Sequence, residues 1–178
     1  AFGDYAILYR GNHQARAFEQ QLRERRIPYA ISGGQSFFER AEIKDIAAWL
    51  RLLANSDEDP AFIRAVTTPR RGVGSATLEA LGAYAGRRHV SLFAAAFETG
   101  AASQLQPKQL DAVREFCDFV NRMEWRAARE PAGQVLEDLL RAIGYERHLF
   151  DTCEAREAEA KWKNVRELAD WLARKGEE

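Results

Sequence analysis

The apolar residues of this chain follow two different rhythms. Tyr5-Ala6-Ile7-Leu8-Tyr9 is a short continuous run rich in strand formers, closed by Arg10-Gly11-Asn12. Asn12 is placed to cap a helix over residues 12–26, with Phe18 and Leu22 spaced i, i+4 on its expected buried face. Pro28 ends that helix, and residues 27–31 read as a second strand. Strand, helix and strand within about thirty residues predict a βαβ unit with parallel strands. Two strands make a poor sheet on their own, so the unit reads as a splinter of a larger α/β domain.

From Glu39 onward the rhythm is helical. Ile43, Ile46, Ala47, Leu50 and Leu53 recur at three- and four-residue steps, predicting one amphipathic helix that stops near Asn55. Asp59-Pro60 starts the next, with Phe62, Ile63 and Val66 inward, and Thr67-Thr68-Pro69 ends it. After the Gly72-Val73-Gly74 turn, Ser75 is expected to cap a helix carrying Leu78, Leu81 and Tyr84. Further helices are predicted over residues 91–97, 108–128, from Glu130-Pro131 to Gly144, and over 156–174. No strand is expected after Ile31. The fold class is therefore mainly α, a helical body preceded by the short βαβ splinter.

Composition narrows the classes. Of 178 residues, 46% are hydrophobic and 30% charged, which suits a packed core and excludes a disordered tail. A net charge of −1 excludes a uniformly basic coat for nucleic acid, but not local contacts to phosphate. Cys117 and Cys153 are too few for a disulfide framework, and His13, His89 and His148 are scattered, so no metal site is expected. No apolar run reaches the ~18–20 residues that span a bilayer, and no signal peptide opens the chain. No membrane contact and a cytoplasmic setting are expected. None of Lys44, Lys108, Lys161, Lys163 and Lys175 follows a glycine, so a GxxxxGK[ST] phosphate loop is absent and no catalytic residue is assigned.

The stretch richest in candidate chemistry is Pro69-Arg70-Arg71-Gly72-Val73-Gly74-Ser75-Ala76-Thr77. Two glycines flanking an apolar residue permit positive φ and leave backbone amides open. Together with the N-terminus of the following helix those amides suit an anion. Arg70 and Arg71 add charge, and Thr77 lies one turn into the helix. This is the logic of a helix-hairpin-helix element, which holds a DNA backbone without reading bases. The plain alternative is that the glycines only close a turn. At the end of the first strand, Arg10 supplies a forked phosphate donor and Asn12 a short polar contact, or else a surface charge and a helix cap. Gly33 and Gly34 suit a hinge between the two parts of the chain. Asp57-Glu58-Asp59 precedes a helix start, where acids favour the dipole, and reads as that rather than as a metal cluster. Trp49, Trp125, Trp162 and Trp171 fall on helical stripes as core or domain-contact residues.

Several of these stretches resemble the Rep/UvrD/PcrA type of superfamily 1 DNA helicase. Ala6-Ile7-Leu8-Tyr9-Arg10-Gly11-Asn12-His13-Gln14-Ala15-Arg16 looks like helicase motif IV. Gly33-Gly34-Gln35-Ser36-Phe37-Phe38-Glu39-Arg40-Ala41-Glu42-Ile43-Lys44-Asp45 is close to the family's GG-x-x-FF-x-R-x-E-I-K-D signature. Thr68-Pro69-Arg70-Arg71-Gly72-Val73-Gly74 matches its duplex-binding GIG element, with Val73 in place of Ile. Lys161-Trp162-Lys163-Asn164-Val165-Arg166-Glu167-Leu168 resembles the later stretch leading back to the second motor domain. The resemblance implies a piece of an ATP-dependent 3′→5′ helicase acting in replication or repair. Residues 1–32 would belong to motor domain 2A, and residues 33–178 to the helical insertion 2B. It further implies that Arg10 and Asn12 contact single-stranded DNA, and that Gly72, Gly74 and Thr77 contact duplex. The implied partners are both forms of DNA, the remaining helicase domains and replication proteins. ATP and Mg would be cofactors of the parent enzyme, with none in this piece. A self-contained helix-hairpin-helix DNA-binding or protein-interaction domain is the alternative.

Overall fold

The computed structural model describes residues 2–32 and 36–176. Backbone contacts divide the chain into two compact units, residues 1–44 and 45–178. Among the described residues the regular structure is helical throughout, with no strand.

The first unit holds a 3₁₀ turn (Phe2–Asp4), helix α1 (Asn12–Glu24), a second 3₁₀ turn (Phe37–Glu39) and the first residues of α2 (Ala41–Ala54). Neither expected strand is present: residues 5–9 and 27–31 carry no regular structure. A strand is completed by the ladder of its neighbours, and two short segments offer each other too little. Tyr5, Ile7 and Leu8 accordingly stand exposed, Leu8 almost completely. The helix itself forms where expected, but its buried face differs. Phe18 is exposed, whereas Ala15 and Glu19 are buried. Glu19 is a junction. Its carboxylate accepts hydrogen bonds from Tyr29 Oη (3.2 Å), from the backbone N–H of Phe37 (3.2 Å) and from Ser36 Oγ. Arg16 lies over the Phe37 ring at 4.4 Å and Arg23 over Phe38 at 4.1 Å. Cation–π contacts and one buried carboxylate therefore hold residues 36–38 to α1.

The second unit contains the rest of α2 and helices α3 (Asp59–Thr67), α4 (Ser75–Arg88), α5 (Leu92–Phe97), α6 (Pro107–Ala127), α7 (Ala132–Ile143), α8 (Tyr145–Thr152) and α9 (Ala155–Gly176). Its centre is aromatic. Trp49 meets Phe116 at 5.5 Å and Phe119 at 5.8 Å, and Phe62 meets Phe116 at 5.2 Å, all edge-to-face. Leu52, Val66, Leu81, Val113 and Val120 complete the core with no solvent exposure. Helix α4 packs on α5, α5 on α6, and both α7 and α8 pack along α9.

Local chemistry explains the ends. The acidic run at the start of α3 does more than face a dipole: Asp59 Oδ1 accepts the Leu92 N–H at 2.8 Å and Asp57 Oδ1 accepts from Ser91 Oγ at 2.5 Å. Both acids thus secure the start of α5, where Ser91 is itself the cap. Ile63, expected inside, is exposed, and Ala61 and Ala65 take its place against the core. Gly144 stops α7 in the left-handed conformation (φ 64°), as expected of a C-terminal glycine. The short α8 that follows was not anticipated. Of the tryptophans expected in the core or at a domain contact, Trp49 is buried in the core, while Trp125 is exposed in this chain, with Arg129 stacked on it at 4.5 Å.

Candidate nucleic-acid interface

Helix α3 ends at Thr67, and residues 68–74 carry the chain to α4. The Thr68-Pro69 peptide bond is cis. Solvent exposure then alternates along the turn. Arg70, Gly72 and Gly74 are exposed, Arg71 is half-buried and Val73 is buried. The turn therefore shows its glycine backbone outward and anchors itself by the side chains between.

The two glycines have different roles. Gly72 has φ 75°, in the left-handed region where only glycine is unstrained. Gly74 has φ −94° and ψ 176°, ordinary extended backbone, and is the N-cap residue of α4. A Cβ at either position meets nothing within 4 Å. The expectation of positive φ thus holds at Gly72 alone, and the openness of Gly74 has to do with access, not with strain.

Because Gly74 has no side chain, no cap side chain covers the first turn of α4. Ser75 is its first residue, not its cap, and Ser75 and Ala76 are exposed. An uncapped, solvent-facing helix start presents N–H groups and the positive end of the macrodipole. Thr77 is buried, its side chain directed into the fold. Arg71 is also drawn inward: its guanidinium lies 4.9 Å from the centroid of the Trp49 ring, and Nη2 donates to the Ile143 carbonyl at 3.5 Å. Burial lowers the Arg71 pKa from its ordinary value. Among the expected duplex-facing residues, the outward set is Arg70, Gly72 and Gly74.

In the first unit, Arg10 is exposed. Gln14 Oε1 accepts from the N–H of Arg10 (2.9 Å) and of Gly11 (3.2 Å), so Gln14 closes the start of α1. Gly11 is the N-cap and Asn12 the first helical residue, in place of the expected Asn12 cap. The Gly11-Asn12-His13-Gln14 spacing was a readable capping signal, since a glutamine at N3 reaches back to the cap amide. The Asn12 side chain and the expected hinge residues Gly33 and Gly34 lie outside the described residues. Among the described residues no group of three or more His, Cys, Asp or Glu is placed to hold a metal ion. No described helix is long and apolar enough to cross a membrane.

The UvrD-like helicase C-terminal domain family matches residues 1–177. The chain belongs to that family. Over 172 residues it is 47% identical to the ATP-dependent DNA helicase Rep of Salmonella typhimurium and 46% identical to that of Escherichia coli. Each of those alignments covers 96% of this chain and 25% of the relative. With DNA helicase II of Escherichia coli the identity is 33% over 168 residues, covering 94% of this chain and 23% of the relative. The chain thus spans about a quarter of the length of these curated relatives. The match runs through both structural units, so the exposed turn before α4 and the Gln14-closed helix start both lie within the family's domain.

Proposed function

We propose that this chain is the duplex-contacting, regulatory 2B region of an ATP-dependent 3′→5′ DNA helicase. In this reading residues 33–178 form 2B, and residues 1–32 are part of the second RecA-like motor domain. The carrying observation is the uncapped start of α4 behind the exposed Gly72–Gly74 backbone. That geometry suits a phosphate and offers nothing that reads a base. Helices α3 and α4 with the turn between them then act as a helix-hairpin-helix-like element, to which Arg70, Arg71, Gly72, Val73, Gly74 and Thr77 all belong. Arg10 and Asn12 face single-stranded DNA in the parent enzyme, and Gly33 and Gly34 are its hinge. The exposed Tyr5, Ile7 and Leu8 fit a segment whose sheet neighbours lie in the rest of a motor domain.

ATP and Mg²⁺ belong in this reading to the parent helicase. No lysine here follows a glycine, and no described acid cluster suits a cation, so the residues present do not fit a nucleotide site. By itself the chain neither hydrolyses ATP nor unwinds DNA. Replication or repair is the process the parent serves, with the remaining helicase domains and replication proteins as its partners in the cytoplasm. The names of the relatives, ATP-dependent DNA helicase Rep and DNA helicase II, support this reading.

Duplex titration tests it. With a net charge of −1 the chain should bind weakly, near the ~10⁻⁴–10⁻⁶ M of non-specific contacts, and equally across sequences. Gly74→Val should reduce binding by blocking the approach of phosphate. Arg70→Ala should flatten the salt slope by about one unit. Unchanged affinity and slope in both variants, with the fold intact, would leave the turn as an ordinary connection and favour a protein-interaction domain.

A further inference from the structure

We propose that Arg71 is a positioning residue: its guanidinium, seated on Trp49 and the last carbonyl of α7, fixes the Gly72–Gly74 turn in the conformation that faces duplex DNA. The proposal rests on the duplex reading above and departs from it at one point, by taking Arg71 out of the phosphate contact.

Three placements carry it. The ring beneath Arg71 is among the most constrained in the molecule. Trp49 has no solvent exposure and is locked edge-to-face by Phe116 and Phe119. A cation 4.9 Å from its centroid is well within the range of a cation–π contact, which gains strength with desolvation. The second anchor is the Ile143 carbonyl, 3.5 Å from Nη2. Ile143 is the last residue of α7, where carbonyls lack intrahelical partners and a cation meets the negative end of the dipole. Third, Nε is buried with no hydrogen-bond partner. A guanidinium that met solvent or phosphate edge-on would satisfy that donor. This one is held by its face, and the stack has been kept at the expense of a bond.

Position in the chain turns this anchoring into a function. Arg71 directly precedes Gly72, whose φ of 75° is the turn's one unusual torsion, and buried Val73 directly follows it. The reversal at Gly72 is therefore clamped on both sides by inward side chains, one to α2 and α7 and one to the core. What remains outward is Arg70, the glycine backbone and the α4 amides. Arg70 is exposed, so following a phosphate does not take it out of the core. For Arg71 to do so it would have to leave Trp49. Lysine is no substitute, since an ammonium lacks the planar face and the fork that serve the ring and the carbonyl together.

Two measurements on the 178-residue chain test this. In duplex titrations at several salt concentrations, Arg71→Ala should weaken binding about 3- to 10-fold with the salt slope unchanged, and Arg71→Lys should not restore it. Arg70→Ala should lower the slope by about one unit. Arg71→Met, which keeps the apolar stem, stands in if the alanine variant does not fold. Independently of DNA, the backbone amide NMR order parameters of Gly72, Val73 and Gly74 should fall from the rigid range toward the flexible one in the Arg71 variants and not in Arg70→Ala, with α9 unaffected. A slope lowered by one in Arg71→Ala and restored by Arg71→Lys would make Arg71 a phosphate contact and overturn the proposal while sparing the duplex reading. Unchanged order parameters at the turn would also overturn it. Duplex binding insensitive to both Arg70→Ala and Gly74→Val, with order parameters altered as expected, would instead remove the duplex reading and leave Arg71 as the anchor of the turn.

Discussion

The Tyr145 hydroxyl donates to Asp45 Oδ2 at 2.6 Å, joining the first residue of α8 to α2 across one hundred positions of sequence. The other carboxylate oxygen takes Arg64 Nε of α3 at 2.7 Å. Tyr145 has no exposure and Asp45 little, so the pair acts in a poorly solvated setting where an unmade bond is costly. Tyr145→Phe should cost about 1.5–3 kcal/mol of stability, the usual worth of a hydrogen bond to a charged group. Asp45→Ala removes the acceptor of both donors and should cost about 2–4 kcal/mol. Urea unfolding of the two single variants and the double would check this. A double-mutant coupling near zero would show that the bond adds nothing to the packing around it.

Helical periodicity made most of the second unit readable. Leu110, Val113, Phe116, Cys117, Val120 and Met123 of α6 are all buried, as their spacing requires. What failed was whatever depends on a partner outside the local segment. Residues 5–9 have strand composition, but a strand exists only with a ladder, and none is present among the described residues. Helix α8 has eight residues and two buried positions, Tyr145 and Leu149, too few to stand out as a period. At the candidate interface the glycines were legible because they break a helical pattern. The inward turn of Arg71 was not, because a loop has no period and the Trp49 that attracts it lies twenty-two positions away. Trp125 shows the converse: a helical stripe places a side chain on a face, but does not say whether another element covers it.

Gly72 and Gly74 should respond differently in stability. A side chain at Gly72 finds open space but must adopt φ 75°, so Gly72→Ala should cost about 1–2 kcal/mol through backbone strain alone. Gly72→Asn should cost less, because asparagine tolerates that region. Gly74 has ordinary torsions, open space around it and the N-cap position of α4, which serine fills at least as well as glycine, so Gly74→Ser should lower stability by no more than ~0.5 kcal/mol. Thermal or urea unfolding decides. Equal losses at the two positions would mean that the left-handed torsion is not the source of the requirement for glycine.

Arg126 ties α6 to α7. It donates to Glu130 through Nε (2.8 Å) and Nη2 (2.6 Å), and through Nη2 to Asp138 (2.7 Å). The hydrogen bonds from Arg126 hold both carboxyls below their ordinary pKa values, with its charge adding to the effect. A depressed carboxyl stabilises the fold above its unfolded pKa, and that contribution is lost as pH falls through the folded value. The loss should therefore appear only in the acid range, below the ordinary 4.5 of Glu130 and 3.8 of Asp138. Arg126→Met should move both carboxyls up toward ordinary titration, read by NMR of the side-chain carbons. Midpoints that stay low in the variant would assign the depression to something other than Arg126.

Cys117 and Cys153 should differ sharply in reactivity. Cys117 sits on the buried face of α6 with no exposure, and burial, with a smaller effect from Asp118, pushes its thiol from 9.0 up to about 12. A thiol that is both covered and protonated is inert, because thiolate is the nucleophile. Cys153 is half-buried at the end of α8 and accepts a hydrogen bond from Lys161 Nζ at 3.3 Å. A thiol reagent at neutral pH should modify Cys153 alone, and reach Cys117 only on unfolding. The same burial sets a pH dependence. The folded state keeps the Cys117 proton where the unfolded chain releases it, so the associated stability is complete below pH 9 and falls as pH rises toward 12. Between pH 9 and 10 the loss should be about 1 kcal/mol, the worth of somewhat less than one proton over one unit. Other groups titrate there as well, so the quantity to follow is the stability gap between wild type and Cys117→Ala. That gap should narrow as pH rises through this window. A gap that stayed constant would show that the thiol ionises as readily in the fold as in the unfolded chain, and that α6 opens to water at Cys117.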